Sequence, residues 1–218
     1  MNGTFVTFEG IEGSGKSTQA RQLAERLRHT GREVVLTREP GGTALGRELR
    51  ALLLASGSPV LPAAEMLLYA ADRAQHVGET IAPALARGAV VLCDRFLDAT
   101  LAYQGVARGL GMEIVRELHH RPPLDLRPHR TLLLDLEPGP ALARARGRDA
   151  ARTGGPDEGR FEAEPLAFHR KVREGYLQLA AAEPERVRVI AASGSEEEVA
   201  SAVLREVSDL FPDLVERR

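Results

Sequence analysis

The sequence has little of what would place it in a specialised class of protein. It contains no tryptophan, only 4% aromatic residues and a single cysteine, Cys93. One cysteine cannot form an internal disulfide or build a cysteine-based zinc site. No apolar run has the length of a membrane span, and the N-terminal segment MNGTFVTFEG lacks the pattern of a signal peptide. These absences predict a soluble, cytoplasmic protein in which Cys93 is an inert core residue.

An excess of charge of one sign is also missing. The 218 residues include 29 Lys+Arg and 31 Asp+Glu, a net charge of −2, and both signs are mixed along the chain. A constitutive nucleic-acid surface would show a clustered basic face. We therefore expect neither nucleic acid nor a membrane as a partner. Because no internal repeat or low-complexity segment occurs, residues 1–218 are expected to form one domain with one insertion.

Short apolar runs alternate with amphipathic stretches along the chain. The apolar runs predict five strands, at residues 4–8, 33–37, 89–93, 130–136 and 187–191. Helical spacing predicts helices at residues 16–29, 44–55, 62–86 (as one helix or two) and 195–210. Strands separated by helices imply a parallel sheet covered on both faces, so the expected fold class is α/β with a five-stranded parallel sheet flanked by helices. His119 and His120 are expected at a surface helix end, without a role.

The residues from Gly10 to Ser17 read GIEGSGKS and match the P-loop pattern G-x-x-x-x-G-K-[ST], between a predicted strand and a predicted helix. The alternative is an ordinary glycine-rich turn. In a P-loop, glycines let backbone N–H groups turn onto phosphate oxygens, and the helix N-terminus adds partial positive charge. Lys16 should then reach the β- and γ-phosphates of ATP and Ser17 should bind Mg²⁺. The predicted ATP-binding residues are Gly10, Ile11, Glu12, Gly13, Ser14, Gly15, Lys16, Ser17 and Thr18.

A P-loop alone leaves GTPases, motor ATPases and small-molecule kinases open. The third strand ends in Asp94-Arg95 rather than the Asp-Glu pair common in hydrolytic ATPases, and no N-K-x-D guanine motif occurs. An arginine-rich, glycine-containing stretch at about 144–160 interrupts the apolar pattern, and taken alone it would be a solvated charged loop. A kinase must exclude water from two substrates. Beside a P-loop, this stretch therefore predicts a mobile lid.

Four segments in chain order resemble the thymidylate kinase family of the bacterial type. They are FEGIEGSGKST from Phe8, TREPGGT from Thr37, YAADRAQH from Tyr69 and DRFLDATLAYQG from Asp94. A fifth, GRFEAEPLAFHRKVREGYLQLA from Gly159, resembles the family's stretch after the lid. The resemblance implies a P-loop nucleoside monophosphate kinase fold, transfer of a phosphoryl group from ATP to dTMP with Mg²⁺, and a homodimer. A kinase for another nucleotide and a non-catalytic P-loop switch are the rival hypotheses.

The family pattern also implies roles at the phosphate end of the site. Arg38 and Arg95 would hold the dTMP phosphate, for which the planar guanidinium is suited because it binds phosphate bidentately. Asp94 would lie near the metal through water and help to place Arg95. Glu12 would lie close to the dTMP sugar and the metal. Together with Lys16 and a lid arginine, Glu12 and Arg95 form the expected catalytic set.

The lid arginine follows from the same pattern, because family members with no basic P-loop side chain beyond the lysine take an arginine from the lid. Arg146 is the best match, and Arg144 is expected to join it in ATP binding. The further candidates in the stretch are Arg148, Arg152 and Arg160.

At the base end, the resemblance implies that Tyr69 stacks on thymine and that Arg73, one helical turn later on the same face, reads a thymine carbonyl. Thr100 and Gln104 would contact the base and sugar edge, and Tyr103 would crowd the ribose 2′ position. Plain core packing is the alternative for the two tyrosines. Ala99 stands where the family usually has serine, so this chain lacks the serine hydroxyl and any hydrogen bond that the hydroxyl makes in the family.

Overall fold

The computed structural model describes residues 3–150 and 158–216. One sheet of five strands runs through it, in the spatial order β2-β3-β1-β4-β5, and each neighbouring pair is parallel. The strands are β1 Thr4–Glu9, β2 Val34–Arg38, β3 Val90–Asp94, β4 Arg130–Asp135 and β5 Val187–Ala191. The predicted five-stranded parallel sheet is confirmed, with bounds that differ from the expected ones by about one residue at an end.

Helices cover the sheet as expected for parallel strands. Those that the periodicity predicts are α1 Lys16–His29, α2 Ala44–Leu54, α3 Pro62–His76 with α4 Ala82–Ala86, and α9 Glu196–Glu206. A π-helical segment, Val77–Ile81, joins α3 to α4, so the run predicted over 62–86 is helical throughout. Ser195 caps α9 and forms a capping box with Glu198.

Other helices are not predicted by the apolar pattern. They are α5 Leu97–Thr100, α6 Met112–Leu118, α7 Pro138–Ala150, α8 Leu166–Ala182 and α10 Asp213–Glu216. A second π-helical segment, Leu101–Ala107, continues α5 and departs from the 3.6-residue period on which the prediction rests. Within the described residues, no helix is both long and apolar enough to cross a membrane.

The strand register brings the polar residues of three loops to one edge of the sheet. Phe8 of β1 and Arg38 of β2 both pair with Asp94 of β3, so these strands end at the same level. The central strand β1 is buried on both faces, with Phe5 and Phe8 fully inaccessible to solvent. In open parallel sheets the ligand crevice lies outside the carboxyl ends of the strands. The fold therefore places the segments after β1, β2 and β3 around one crevice.

Candidate active site

The P-loop is a tight turn between β1 and α1. Gly15, with φ of +97°, forms the N-cap of α1, so the first backbone N–H groups of the helix face the crevice. Gly13 has φ of +77°, and a Cβ there would overlap the carbonyl oxygen of Ala141 in α7. The loop thus needs glycine at this position for its backbone conformation and because α7 packs directly against it.

Lys16 and Ser17 extend from this loop toward the crevice. The Lys16 ammonium donates a 2.7 Å hydrogen bond to the carbonyl of Ile11. Burial, together with the positive charge of Arg95, lowers the pKa of Lys16 to about 8. The Ser17 hydroxyl donates to the Asp94 carboxylate, which joins the P-loop to the end of β3. Hydroxyl and carboxylate oxygens are ligands that suit Mg²⁺, so this pair fits the metal role expected of both residues.

Glu12 is surrounded by groups that favour its charged form. Its Oε1 accepts hydrogen bonds from Arg95 Nη2 at 2.8 Å and from the Tyr103 hydroxyl at 2.6 Å. His169 Nδ1 lies 3.4 Å from its other oxygen. Burial alone would raise the pKa of Glu12, but Arg95, His169 and Lys16 hold it well below its usual range. The repulsion between this acid and bound phosphate is therefore offset by neighbouring donors and cations.

Arg95 is fixed from several sides. It has φ of +70°, a left-handed conformation that a non-glycine residue rarely adopts. Its guanidinium lies 4.9 Å from the centroid of the Tyr103 ring, a cation–π contact, and donates to the carbonyl of Gly10 at 3.0 Å. A strained backbone held by several contacts is typical of functional sites.

Sequence reasoning missed two buried residues, Tyr176 and Glu9, that hold Arg95 in position. The Tyr176 hydroxyl accepts a 3.1 Å hydrogen bond from Arg95 and donates at 2.7 Å to Glu9, whose other oxygen accepts from the Phe96 N–H. Burial and the nearby Asp98 raise the pKa of Glu9 to about 8. An acid ending the apolar run TFVTFE is a signal that could have identified Glu9. Nothing in the local pattern marks Tyr176, which lies far along the chain on α8.

At the other end of the crevice, Arg73 is buried rather than exposed. Its Nε donates to Glu39 at 2.9 Å, Nη1 to His119 at 2.8 Å and Nη2 to Thr100 at 3.1 Å. The expectation of a surface position for His119 is wrong, because only 1% of it is exposed. Tyr69, one turn before Arg73 on α3, is half-buried and lines the same cavity.

Gln104 is held by an acid that the sequence reasoning did not consider. Glu65, fully buried at the start of α3, accepts a 2.7 Å hydrogen bond from Gln104 Nε2. It also accepts from Arg108 and forms a 2.6 Å ion pair with Arg160. A carboxylate that faces two guanidinium groups must accept hydrogen bonds, so Gln104 turns its NH₂ group toward it. The amide oxygen of Gln104 is then the atom that can face the cavity.

The two ends share one cavity of about 780 Å³. The residues expected from the sequence that line it are Glu12, Gly13, Gly15, Lys16, Ser17, Thr18, Arg38, Tyr69, Arg73, Asp94, Arg95, Thr100, Tyr103 and Gln104. Ala99 lines it as well, and so does Arg50, which the sequence reasoning missed. The expected residues that are not part of its lining are Gly10, Ile11, Ser14, Arg144 and Arg146.

The arginines of the predicted lid have different surroundings. Arg144 and Arg146 are exposed on α7, where they donate to the carbonyls of Ala192 and Glu162, each at 3.2 Å. Arg160 is not on a free loop: it is 10% exposed and donates to the carbonyls of Leu53 and Val60 besides pairing with Glu65. Residues 151–157, which include Arg152, and the side chain of Arg148 lie outside the described part of the chain.

Comparison with known proteins agrees with this geometry. The family model described as thymidylate kinase matches residues 8–203. The thymidylate kinase of Syntrophotalea carbinolica is 55% identical over 196 residues, covering 89% of this chain and 90% of the relative. That of Geobacter sulfurreducens is 50% identical over 217 residues, 99% of this chain and the whole of the relative.

A solved structure is similar over the same extent. The crystal structure of thymidylate kinase from Ehrlichia chaffeensis has a TM-score of 0.73 and 32% sequence identity, and the match covers 94% of this chain and 98% of that one. The family model's match over residues 8–203 includes the P-loop and the segments that line the crevice. The chain belongs to the thymidylate kinase family.

Proposed function

We propose that the chain phosphorylates dTMP to dTDP with ATP and Mg²⁺ by direct in-line phosphoryl transfer. The observation that carries the proposal is a single cavity with a P-loop at one end and a paired donor and acceptor, Arg73 and Gln104, at the other. Family membership supports the same reaction, because the relatives and the solved structure are thymidylate kinases. A non-catalytic switch would need no second site of this kind.

The orientation of Gln104 favours a thymine base. Glu65 holds the NH₂ group of Gln104, so the amide oxygen is left to accept a hydrogen bond, while Arg73 can only donate. Thymine offers a donor at N3 and an acceptor at O4, which matches this pair. Cytosine has an acceptor at N3 and a donor at N4, so both contacts would be mismatched. The base end of the cavity thus selects thymine or uracil over cytosine.

At the phosphate end, cations bring two polyanions together. Arg38 and Arg95 hold the dTMP phosphate, and Lys16 holds the β- and γ-phosphates of ATP. An oxygen of the dTMP phosphate forms a bond to the γ-phosphorus while the bond from that phosphorus to the ADP oxygen breaks. Ser17 and Asp94 would hold Mg²⁺, which when bound neutralises charge on the phosphate oxygens. Glu12 orients the dTMP sugar and keeps Arg95 in place.

The lid belongs to the same proposal. Residues 1–218 act as one kinase domain in which the insertion at about 144–160 covers the ATP side, with Arg146 as the catalytic arginine and Arg144 as a second ATP contact. The packing of α7 against Gly13 supports this, because the helix that leads into the insertion lies beside the loop that would bind the ATP phosphates. The arginine charges are needed because the P-loop has no basic side chain beyond Lys16.

A homodimer and a cytoplasmic location complete the proposal. The dimer is supported by exposed leucines on two adjacent helices, Leu45 and Leu52 on α2 and Leu67 on α3.

The cytoplasmic location is supported by the two substrates, which are nucleotides of the cell interior. Cell fractionation that found the protein outside the cytoplasm would contradict it.

The test is a panel of acceptors in a coupled ADP-release assay. We expect kcat/KM for dTMP to exceed that for dCMP, dGMP and dAMP by roughly 10³ or more, because a mismatched base leaves buried polar groups unpaired. dUMP should be a poorer but real substrate, since one methyl group in an apolar pocket is worth only about 1–3 kcal/mol. Equal turnover of dCMP would contradict the dTMP assignment but leave the kinase class intact.

A further inference from the structure

His119 follows α6 and is locked into one protonation state by its two neighbours. Nδ1 lies 2.7 Å from the carbonyl oxygen of Val115, and Nε2 lies 2.8 Å from Nη1 of Arg73. A carbonyl oxygen can only accept, so Nδ1 must carry the hydrogen. A guanidinium can only donate, so Nε2 must accept. The ring is therefore a neutral imidazole with a single tautomer.

The electrostatics agree with that geometry. Burial and the charge of Arg73 lower the pKa of His119 to about 4, so the ring stays neutral throughout the physiological range. The charge of Arg73 is balanced elsewhere, by Glu39 at 2.9 Å. Glu39 is fixed in turn by His76, which also contacts Thr37. His119 thus helps to orient the Arg73 guanidinium and adds no charge to this cluster.

The other contacts of Arg73 involve its Nε, its Nη2 and the face of the guanidinium, so that His119 is the partner of Nη1. Glu39 holds both Nε and Nη2, Thr100 also accepts from Nη2, and the face of the guanidinium lies 5.0 Å from the centroid of Phe96. Nη1 carries a second N–H besides the one directed at His119, and this hydrogen is available to a ligand in the cavity that Arg73 lines. Without an acceptor at Nη1, the guanidinium would be held only along its Nε and Nη2 edge, and the direction of the remaining Nη1 hydrogen would be less well defined.

We propose that His119 is a positioning residue for base selection, whose Nε2 orients Arg73 so that its remaining N–H group, on Nη1, points at the carbonyl of the acceptor base. The proposal rests on the proposed function, because it deepens the reading of the base by Arg73 and Gln104. Both hydrogen bonds of His119 go to residues outside the P-loop, so its loss should weaken dTMP binding and selection and leave the phosphoryl-transfer step intact.

Three substitutions separate orientation from packing. His119→Gln places an amide oxygen near the position of Nε2, where it can accept from Arg73. His119→Asn places its NH₂ near the position of Nδ1, where it can still donate to Val115, but it has nothing at the Nε2 position. His119→Leu removes both polar groups. Gln and Asn are thus a matched pair of amides that differ in the contact to Arg73.

The measurements are kcat and KM for dTMP, KM for ATP, kcat/KM for dCMP, and the melting temperature. Because hydrogen bonds to charged groups are among the stronger ones, we expect His119→Asn and His119→Leu to raise KM for dTMP roughly 10–100-fold. Both should narrow the ratio of kcat/KM between dTMP and dCMP, with kcat and KM for ATP within about threefold of wild type. His119→Gln should restore KM and the ratio to within about threefold. If His119→Leu does not fold, the two amides carry the test.

Two results would overturn the role of His119. The first is an unchanged ratio between dTMP and dCMP in His119→Asn. The second is an equal loss in His119→Gln and His119→Asn, which would show that the ring matters for packing alone. Failure of the proposed function can be distinguished from failure of the His119 proposal, because in that case the wild-type protein itself would not prefer dTMP over dCMP.

Discussion

Tyr103 combines several roles in one side chain, and they can be separated by substitution. Its hydroxyl donates to Glu12, its face supports Arg95, and its ring packs edge-on against Phe161 and Phe168. The role expected from the family, crowding of the ribose 2′ position, depends on the ring and not on the hydroxyl. Loss of the hydroxyl alone should therefore leave sugar selection intact.

We predict that Tyr103→Ala narrows the preference for dTMP over its ribonucleotide analogue by roughly tenfold or more, because space opens for the 2′-hydroxyl. Tyr103→Phe should keep the wild-type ratio and serves as the control. The measurement is kcat/KM for both nucleotides, with melting temperatures to confirm folding, since truncating a buried aromatic ring costs about 3–5 kcal/mol. A ratio that does not move in Tyr103→Ala would reduce Tyr103 to a packing role.

Residues within a motif could be predicted from the sequence, and residues that support them from a distance could not. The P-loop, Arg38, Arg73 and the Asp94-Arg95 pair stand in short segments with a recognisable pattern. Glu65 and His119 do not, because each reaches its partner across a large sequence separation, 39 residues to Gln104 and 46 to Arg73. Such contacts are set by the packing of helices and leave no local periodic signal.

At the scale of elements, the apolar strands were predictable and the helices around the site less so. The strands β1 and β3 are buried on both faces and appear in the sequence as short, largely apolar runs. The helix α7 contains three arginines and two glycines in the sequence PGPALARARGRDA, a composition that predicts a loop from about Arg144 onward. Packing of its N-terminal half against the P-loop accounts for the helix in spite of that composition.

The lid prediction concerns the insertion at about 144–160, which begins within α7. We expect Arg146→Ala to lower kcat by roughly 10²–10³, as loss of a transition-state cation should. KM for dTMP should change much less, because the lid is proposed to cover the ATP side. Arg170→Ala, at an exposed arginine of α8, is the control and should have wild-type kinetics. The melting temperature should not change in either variant, because both side chains are exposed.

A near-normal kcat in Arg146→Ala would assign the role to another arginine of the lid. Arg144→Ala and Arg148→Ala test the neighbours in the same assay. Arg160→Ala requires a folding control, because Arg160 pairs with the buried Glu65 and its loss leaves an acid without one of its cations. If none of these substitutions affects kcat, the stretch at 144–160 is a solvated loop and the lid hypothesis is wrong.

At the scale of the whole molecule, the feature that bears on assembly is a group of exposed leucines on the two adjacent helices α2 and α3. Leu45 and Leu52 lie on one face of α2, seven residues apart, and are 47% and 50% exposed. Leu67 on the adjacent α3 is 54% exposed. Burial of such side chains is favourable at about 25 cal/mol per Å² of apolar surface. A two-fold interface that pairs this face with itself would remove all of these leucines from water.

The whole-molecule prediction is therefore a homodimer through α2 and α3. Light scattering coupled to size exclusion should give wild-type protein a mass of twice the 23.6 kDa of one chain. Leu52→Glu should shift the mass toward that of one chain at micromolar concentration, because it would bury two carboxylates at a self-complementary contact. Val189→Glu is the matched control: Val189 is 47% exposed on β5, at the sheet edge opposite β2. A wild-type mass of one chain at every concentration would contradict the dimer, and an equal shift in both variants would place the interface elsewhere.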